Sequence, residues 1–201
     1  MIAARPLPNR VDPFGDLFAV AERGLLMGNR GGRLHDGEQV LGARRWTSRR
    51  WIACLCEFRG RRREVWGRGY SELFFLDEPT ALAAGHRPCF ECRRAEATAF
   101  LRAAGRASAD ALDARLHDER LDGRKRRRHL RRLGDLPDGA MIARDGCAFA
   151  VRGDALWPWS FAGYGAAIRR ERGADVETLT PPTTLTALRA GYVPLWAKRA
   201  A

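Results

Sequence analysis

Cys89-Phe90-Glu91-Cys92 is the spacing in this chain best suited to chemistry. Two thiols separated by two residues close a tight chelate on one metal, and zinc takes four tetrahedral ligands, usually thiolate or imidazole. Cys54 and Cys56, 35 and 33 residues upstream, are candidates to complete the set. On a strand, residues two apart face the same side. His86, three residues before Cys89, is the other candidate. Cys89 and Cys92 precede a predicted helix, whose N-terminus favours thiolate and raises reactivity. The same pattern also fits a redox dithiol, although no βαβ context surrounds it, or thiols packed in a core.

A second chemistry lies in the arginines. Arg44-Arg45, Arg49-Arg50, Arg59 and Arg61-Arg62-Arg63 surround Trp46, Trp51, Phe58 and Trp66, with Glu57 the only acid between residues 44 and 63. Interleaved arginine and aromatic side chains suit phosphate contact with base stacking. Arg87, Arg93 and Arg94 flank the cysteine knuckle. Arg124 to Arg132, which includes Arg126, Arg127 and Arg128, carries seven fixed cations in nine residues. It reads either as a phosphate-binding tract with a steep salt dependence or as a solvated charge run. Other chemistry is thin. His117-Asp118-Glu119, His129 and His35-Asp36 read as surface residues rather than an acid–base cluster. The chain has no phosphate-binding glycine motif, serine elbow or His-Glu-x-x-His helix.

The elements that must hold these residues are short. Trp51–Phe58, Arg62–Trp66 and Tyr70–Leu76 read as three strands, the first two joined by a turn at Arg59-Gly60-Arg61. Leu17–Val20 and Leu25–Met27 read as a strand pair. Asp77 to Gly85 is a short helix, with Asp77 as N-cap, Pro79 in the first turn and Gly85 as the left-handed stop. Arg93 to Ala104 is a second helix by its apolar spacing. Residues 105–135 are polar and highly charged, and read as a helical arm or a disordered insertion. Strands follow at Ala140–Ala143, Cys147–Arg152 and Asp175–Leu179, with Asp145-Gly146 as a hairpin turn. The stretch Leu179 to Pro194 echoes Leu76 to Pro88: each is a strand, a proline-started helix and an Ala-Gly stop. Shared start and stop chemistry accounts for the echo.

The run Phe74-Phe75-Leu76-Asp77-Glu78-Pro79-Thr80-Ala81-Leu82-Ala83-Ala84-Gly85-His86-Arg87-Pro88-Cys89-Phe90-Glu91-Cys92 resembles the second half of the metal-binding domain of the Ada DNA-repair family. The resemblance covers about 20 residues closely and about 45 with the preceding hairpin. It implies a hairpin, a short helix and a cysteine knuckle holding zinc through four thiolates. By this resemblance, Cys89 and Cys92 are the downstream ligands. In that family an upstream thiolate accepts a methyl group from a DNA phosphotriester. The family's upstream Cys-x-x-x-Cys pair falls here on Arg61-Arg62-Arg63-Glu64-Val65-Trp66, which contains no cysteine. The methyl-accepting position therefore has no direct counterpart.

Composition sets the outer bounds. The chain has 201 residues, 45% of them hydrophobic, enough for a packed core. Lys+Arg number 36 against 24 acids, a net charge of +12; only Lys125 and Lys198 are lysine, leaving 34 arginines. Such a charge points to a polyanion, most commonly nucleic acid, although arginine-rich composition also follows from a GC-rich genome. No apolar run approaches the roughly 20 residues that span a bilayer. Five cysteines, an odd count, and a start without a long apolar stretch point to a reducing, cytoplasmic setting.

The expected fold is α+β: a small antiparallel sheet with short helices and the knuckle over residues 1–104, a charged segment over 105–135, and a second short-stranded α+β half over 136–201. The expected function is a zinc-knuckle protein that binds nucleic acid, DNA rather than RNA, in repair or regulation. Two alternatives stand beside it. One is an enzyme on nucleic acid, as a zinc-thiolate methyl acceptor, nuclease or glycosylase. The other is a metal-free module that binds RNA or protein.

Overall fold

Glycine, proline and aspartate interrupt the first hundred residues so often that strands there must be short. The computed structural model describes residues 5–61 and 64–198. Strands β1 (Arg10–Val11), β2 (Leu17–Phe18), β3 (Leu26–Asn29), β4 (Ile52–Leu55), β5 (Leu73–Phe75) and β6 (Arg87–Pro88) form one sheet in the order β2-β1-β5-β3-β4-β6. β3 runs antiparallel to β4 and β5, and β4 runs parallel to β6. Pro88 has no N–H to donate, and it sits on the edge strand, where that loss costs least.

Two local expectations change. Leu17–Phe18 does not pair with Leu26; β2 folds back on β1, with Arg10 opposite Phe18. Of the return strand predicted over Arg62–Trp66, residues 62 and 63 lie outside the described residues. Glu64 to Trp66 is loop, and Trp66 has φ +59, which no strand residue adopts. β4 therefore takes its partners from β3 and from β6.

Helix α1 (Glu78–Ala83) shows why a six-residue helix can persist. Asp77 Oδ1 accepts from the backbone N–H and the hydroxyl of Thr80 (3.1 and 2.7 Å). At the other end the His86 N–H reaches Ala81 O and the Gly85 N–H reaches Leu82 O, both at 2.9 Å, the Schellman closure. Gly85 has φ +84, and a Cβ there would meet Arg120 Cδ at 2.6 Å, so both backbone and space demand glycine.

All of α1 is buried, and its faces are shared out. Ala81 and Ala84 pack on the first sheet with Val11, Leu26 and Phe75. Ala83 packs with Met141, Ala150 and Tyr164 of the second sheet. Leu82 packs with Phe100, Leu112, Leu116, Ala187 and Leu188, which belong to α2 (Arg94–Ala103), α3 (Ala109–Arg120) and α4 (Pro182–Arg189). Small alanines let three groups of elements close on one short helix.

After α3 come β7 (Leu121–Asp122), β8 (Lys125–Arg126) and β9 (His129–Arg132), then β10 (Met141–Arg144), β11 (Cys147–Arg152), β12 (Ala155–Ser160), β13 (Gly163–Tyr164), β14 (Ile168–Arg169) and β15 (Asp175–Thr178). The second sheet runs β13-β12-β11-β10-β15-β9, with β14 also on β12. Asp145 and Gly146 make the β10–β11 turn with φ +51 and +76. The charged stretch 105–135 is α-helical only over Ala109–Arg120, with a single 3-10 turn at Leu133–Asp135, and its basic tract is mostly extended. Pairing explains this: β9 lies against β15, which brings Arg128 to Glu177 (2.7 Å) and Arg132 to Asp175 (3.9 Å).

Candidate metal centre

The crossover from β5 through α1 to β6 builds the site. β5 lies on one side of β3, so the chain passes β3 and β4 to reach the sheet edge at β6. There Ala53 stands opposite Pro88, and the Cys89 N–H donates to Ala53 O at 3.0 Å. The register therefore sets Cys54 beside Cys89. The chain then turns, with Arg93 N–H on Cys89 O (3.0 Å), and presents Cys92 just before α2.

The Sγ atoms of Cys54, Cys89 and Cys92 lie within 4.8 Å of one another. Thiolates about 2.3 Å from a shared zinc stand roughly 3.8 Å apart, so small movements would seat the ion. The backbone is arranged for negative sulfur. Leu55 N–H donates to Cys92 Sγ and Glu91 N–H to Cys89 Sγ, each at 3.4 Å. The thiols of Cys89 and Cys92 are pulled down chiefly by accepting a hydrogen bond from Cys54. Cys54, as that donor and buried, is pushed far up. Three sulfurs competing for protons in a partly buried cluster are relieved by a cation. Among the described residues no fourth His, Cys, Asp or Glu joins this group. A three-thiolate zinc would keep its fourth position for an outside ligand.

The other two candidates stand apart. β4 ends at Leu55, so the strand alternation does not carry to Cys56; its Sγ donates to Leu25 O (3.4 Å) at the surface. His86 is fully buried, edge-on to Phe75 (4.6 Å) and tilted against Trp51 (5.2 Å). Its Nε2 accepts from Arg30 Nε (3.4 Å), and its Nδ1 has no partner. Burial, reinforced by Arg30, Arg120 and Arg126, holds its pKa well below the ordinary histidine value. Sequence reasoning passed over Met27, which stands opposite Cys54 on β3 and packs on the cluster. It also passed over Arg30 and Arg120, whose guanidinium carbons lie 4.2 and 3.9 Å from the Trp51 ring centre. A methionine in an apolar strand and single arginines near turns carry no signal for these places.

The predicted nucleic-acid residues divide into interior and surface sets. Arg87 is buried in a bidentate pair with Asp113 (3.0 and 2.7 Å), and Arg93 in a pair with Glu78 (2.7 Å). Arg126 donates to Ala83 O and Ala84 O (2.7 and 3.2 Å) at the C-terminal end of α1. Trp66 is buried, stacked on His35 at 4.9 Å. The polar groups of these four are engaged within the fold, although Arg126 is half-buried and Arg87 borders a surface groove. Arg49, Arg50, Arg59, Arg61, Arg94, Arg127 and Arg128 are exposed. Arg50 pairs with Asp110 (3.0 Å), Arg61 with Glu91 (2.6 Å) and Arg127 with Asp122 (3.7 Å). Arg62 and Arg63 lie outside the described residues. A groove of about 490 Å³ runs beside the cluster, lined by Arg50, Arg87, Cys89, Phe90 and Glu91 among others.

No helix among the described residues is long and apolar enough to cross a membrane. No protein-family profile, curated protein or solved structure matches the chain.

Proposed function

We propose that this chain is a zinc-binding cytoplasmic protein that binds nucleic acid, DNA in preference to RNA, in repair or its regulation. The observation that carries the reading is the convergence of Cys54, Cys89 and Cys92 across a parallel strand register. Zinc there would tie the end of the edge strand, the start of α2 and the neighbouring strand β4 into one unit. The resemblance of residues 74–92 to the Ada metal-binding domain supports the zinc and the DNA partner. The exposed arginines around the knuckle supply phosphate contacts. Thiols kept for a metal suit a reducing compartment.

Metal analysis of the natively purified protein tests the centre. About one zinc per chain is expected. Cys54→Ser and Cys89→Ser lose it, whereas Cys56→Ser keeps it. A folded protein with no zinc would refute the centre. Binding to duplex DNA is expected to weaken steeply with salt; no binding at low salt would refute the DNA partner and leave the zinc standing.

A second reading follows from the open fourth position and from Cys89 lining a groove with Arg50. It is an enzyme on nucleic acid in which zinc held by Cys54, Cys89 and Cys92 would keep one thiolate nucleophilic; that sulfur would form an S–CH3 bond as the C–O bond of a methyl phosphotriester breaks and the phosphodiester anion leaves. A stoichiometric mass gain on one cysteine after exposure to methylated DNA is its signature, and an unchanged mass removes it.

A further inference from the structure

We infer that Trp46 and the arginines Arg44, Arg45 and Arg124 form a subsite for one unpaired nucleotide, with the base on the indole face and the phosphate among the guanidinium groups. For a nucleotide within a single strand, the inference rests on the nucleic-acid reading above. For a free nucleotide it stands alone.

The groove holds about 430 Å³ and is lined by Ala43, Arg44, Arg45, Trp46 and Arg124. That size falls within the roughly 300–1,000 Å³ of small-molecule sites. No acid lines it, and the side chains of Arg44 and Arg124 make no ion pair among the described residues. Arg45 Nη1 donates to Gly42 O and to Arg44 O (3.4 Å), which leaves Arg44 and Arg124 as the two uncommitted cations of this groove.

Trp46 is half-buried and held from behind. Its ring meets Trp51 at 6.0 Å and 48°, and His117 at 6.2 Å and 72°. Trp51 is fixed in turn by its N–H on Ser48 O (3.1 Å) and by Arg30 and Arg120 on its ring. Arg120 Nη2 donates to His117 Nδ1 (3.1 Å), fixing the other support. A fixed indole beside the unpaired guanidinium groups of Arg44 and Arg124 offers a π-face and a phosphate clamp together, the pairing that binds single-stranded nucleic acid without reading sequence. Arg124 comes from the β7–β8 turn, so the site joins two segments nearly eighty residues apart.

The test measures binding of labelled dT8, of a duplex of the same length, and of AMP, with inorganic pyrophosphate as a charge-only competitor. Trp46→Ala is expected to weaken dT8 binding about tenfold or more, while Trp46→Phe keeps most of it. Arg44→Ala with Arg124→Ala weakens dT8 and flattens its salt dependence by about two counterions. Arg131→Ala with Arg169→Ala flattens the salt dependence but leaves the response to Trp46→Ala intact. AMP competes with dT8, and pyrophosphate competes less well.

Wild-type affinity for dT8 and AMP in Trp46→Ala, or competition by pyrophosphate equal to that by AMP, overturns the subsite. Binding of both dT8 and the duplex that Trp46→Ala leaves unchanged overturns the subsite and leaves the nucleic-acid reading intact. AMP binding that depends on Trp46, with no binding of either DNA, upholds the subsite for a free nucleotide and removes the nucleic-acid reading. No binding of any probe overturns both.

Discussion

His86 couples folding to acidity. Its imidazole is kept neutral by burial and by three neighbouring arginines, whereas the unfolded chain takes up a proton near the ordinary value of about 6.5. Protons therefore favour the unfolded chain. The stability is whole above about 6.5 and is lost as pH falls below it, by up to about 1.4 kcal/mol per pH unit. Asp12 acts with the opposite sign: burial lifts it to about 6, so the native state holds its proton more tightly between about 4 and 6. Urea midpoints between pH 5 and 7.5 are expected to fall with acid, more steeply in Asp12→Asn and less steeply in His86→Gln. An unchanged slope in His86→Gln would refute this assignment. At this scale the sequence names the right residue types but not their surroundings. Cys54 and Cys56 differ by two positions, yet only one lies within the strand that meets Cys89. His86 sits three residues from the knuckle, yet the helix stop at Gly85 turns it inward.

At the scale of elements, β6 and α3 are joined by one buried ion pair, Arg87 with Asp113. Breaking it with Asp113→Ala leaves an unpaired guanidinium in the interior, which costs about 3–5 kcal/mol. Replacing both residues together by Arg87→Met and Asp113→Leu costs less, a difference that chemical denaturation of the single and double variants will show. Local elements were readable where side chains speak to their own backbone: Asp77, Pro79 and Gly85 marked α1, and Asp145-Gly146 marked the β10–β11 turn. What depends on distant partners was not readable. Arg87 and Arg94 look alike in the sequence, and only an aspartate 26 residues downstream draws one of them inside. The basic tract became strand because β15 supplied the other half of the ladder.

On the scale of the whole molecule, the N-terminal end of α1 is completed by the far end of the chain. Asp77 Oδ2 accepts from Tyr164 OH (2.9 Å) and Ala197 N–H (3.1 Å), and Glu78 accepts from Tyr192 OH (2.6 Å) and Leu195 N–H (2.8 Å). Ending the chain at Val193 removes two of these donors from buried carboxylates and is expected to cost about 3 kcal/mol or more, read as a lower urea midpoint. The overall α+β class followed from the alternation of short strands and capped helices. The sharing of one helix among three packing clusters did not, because alanine declares no preference among partners. That sharing also bears on synthesis. Residues 117 and 120 positions downstream must emerge before the carboxylates of α1 are satisfied. At about 5–20 residues per second, the ribosome takes about 6–24 s to deliver them. During that time Asp77 and Glu78 wait in an unfinished chain that no native packing protects, so nascent chains stalled short of Leu195 are the form most open to proteolysis.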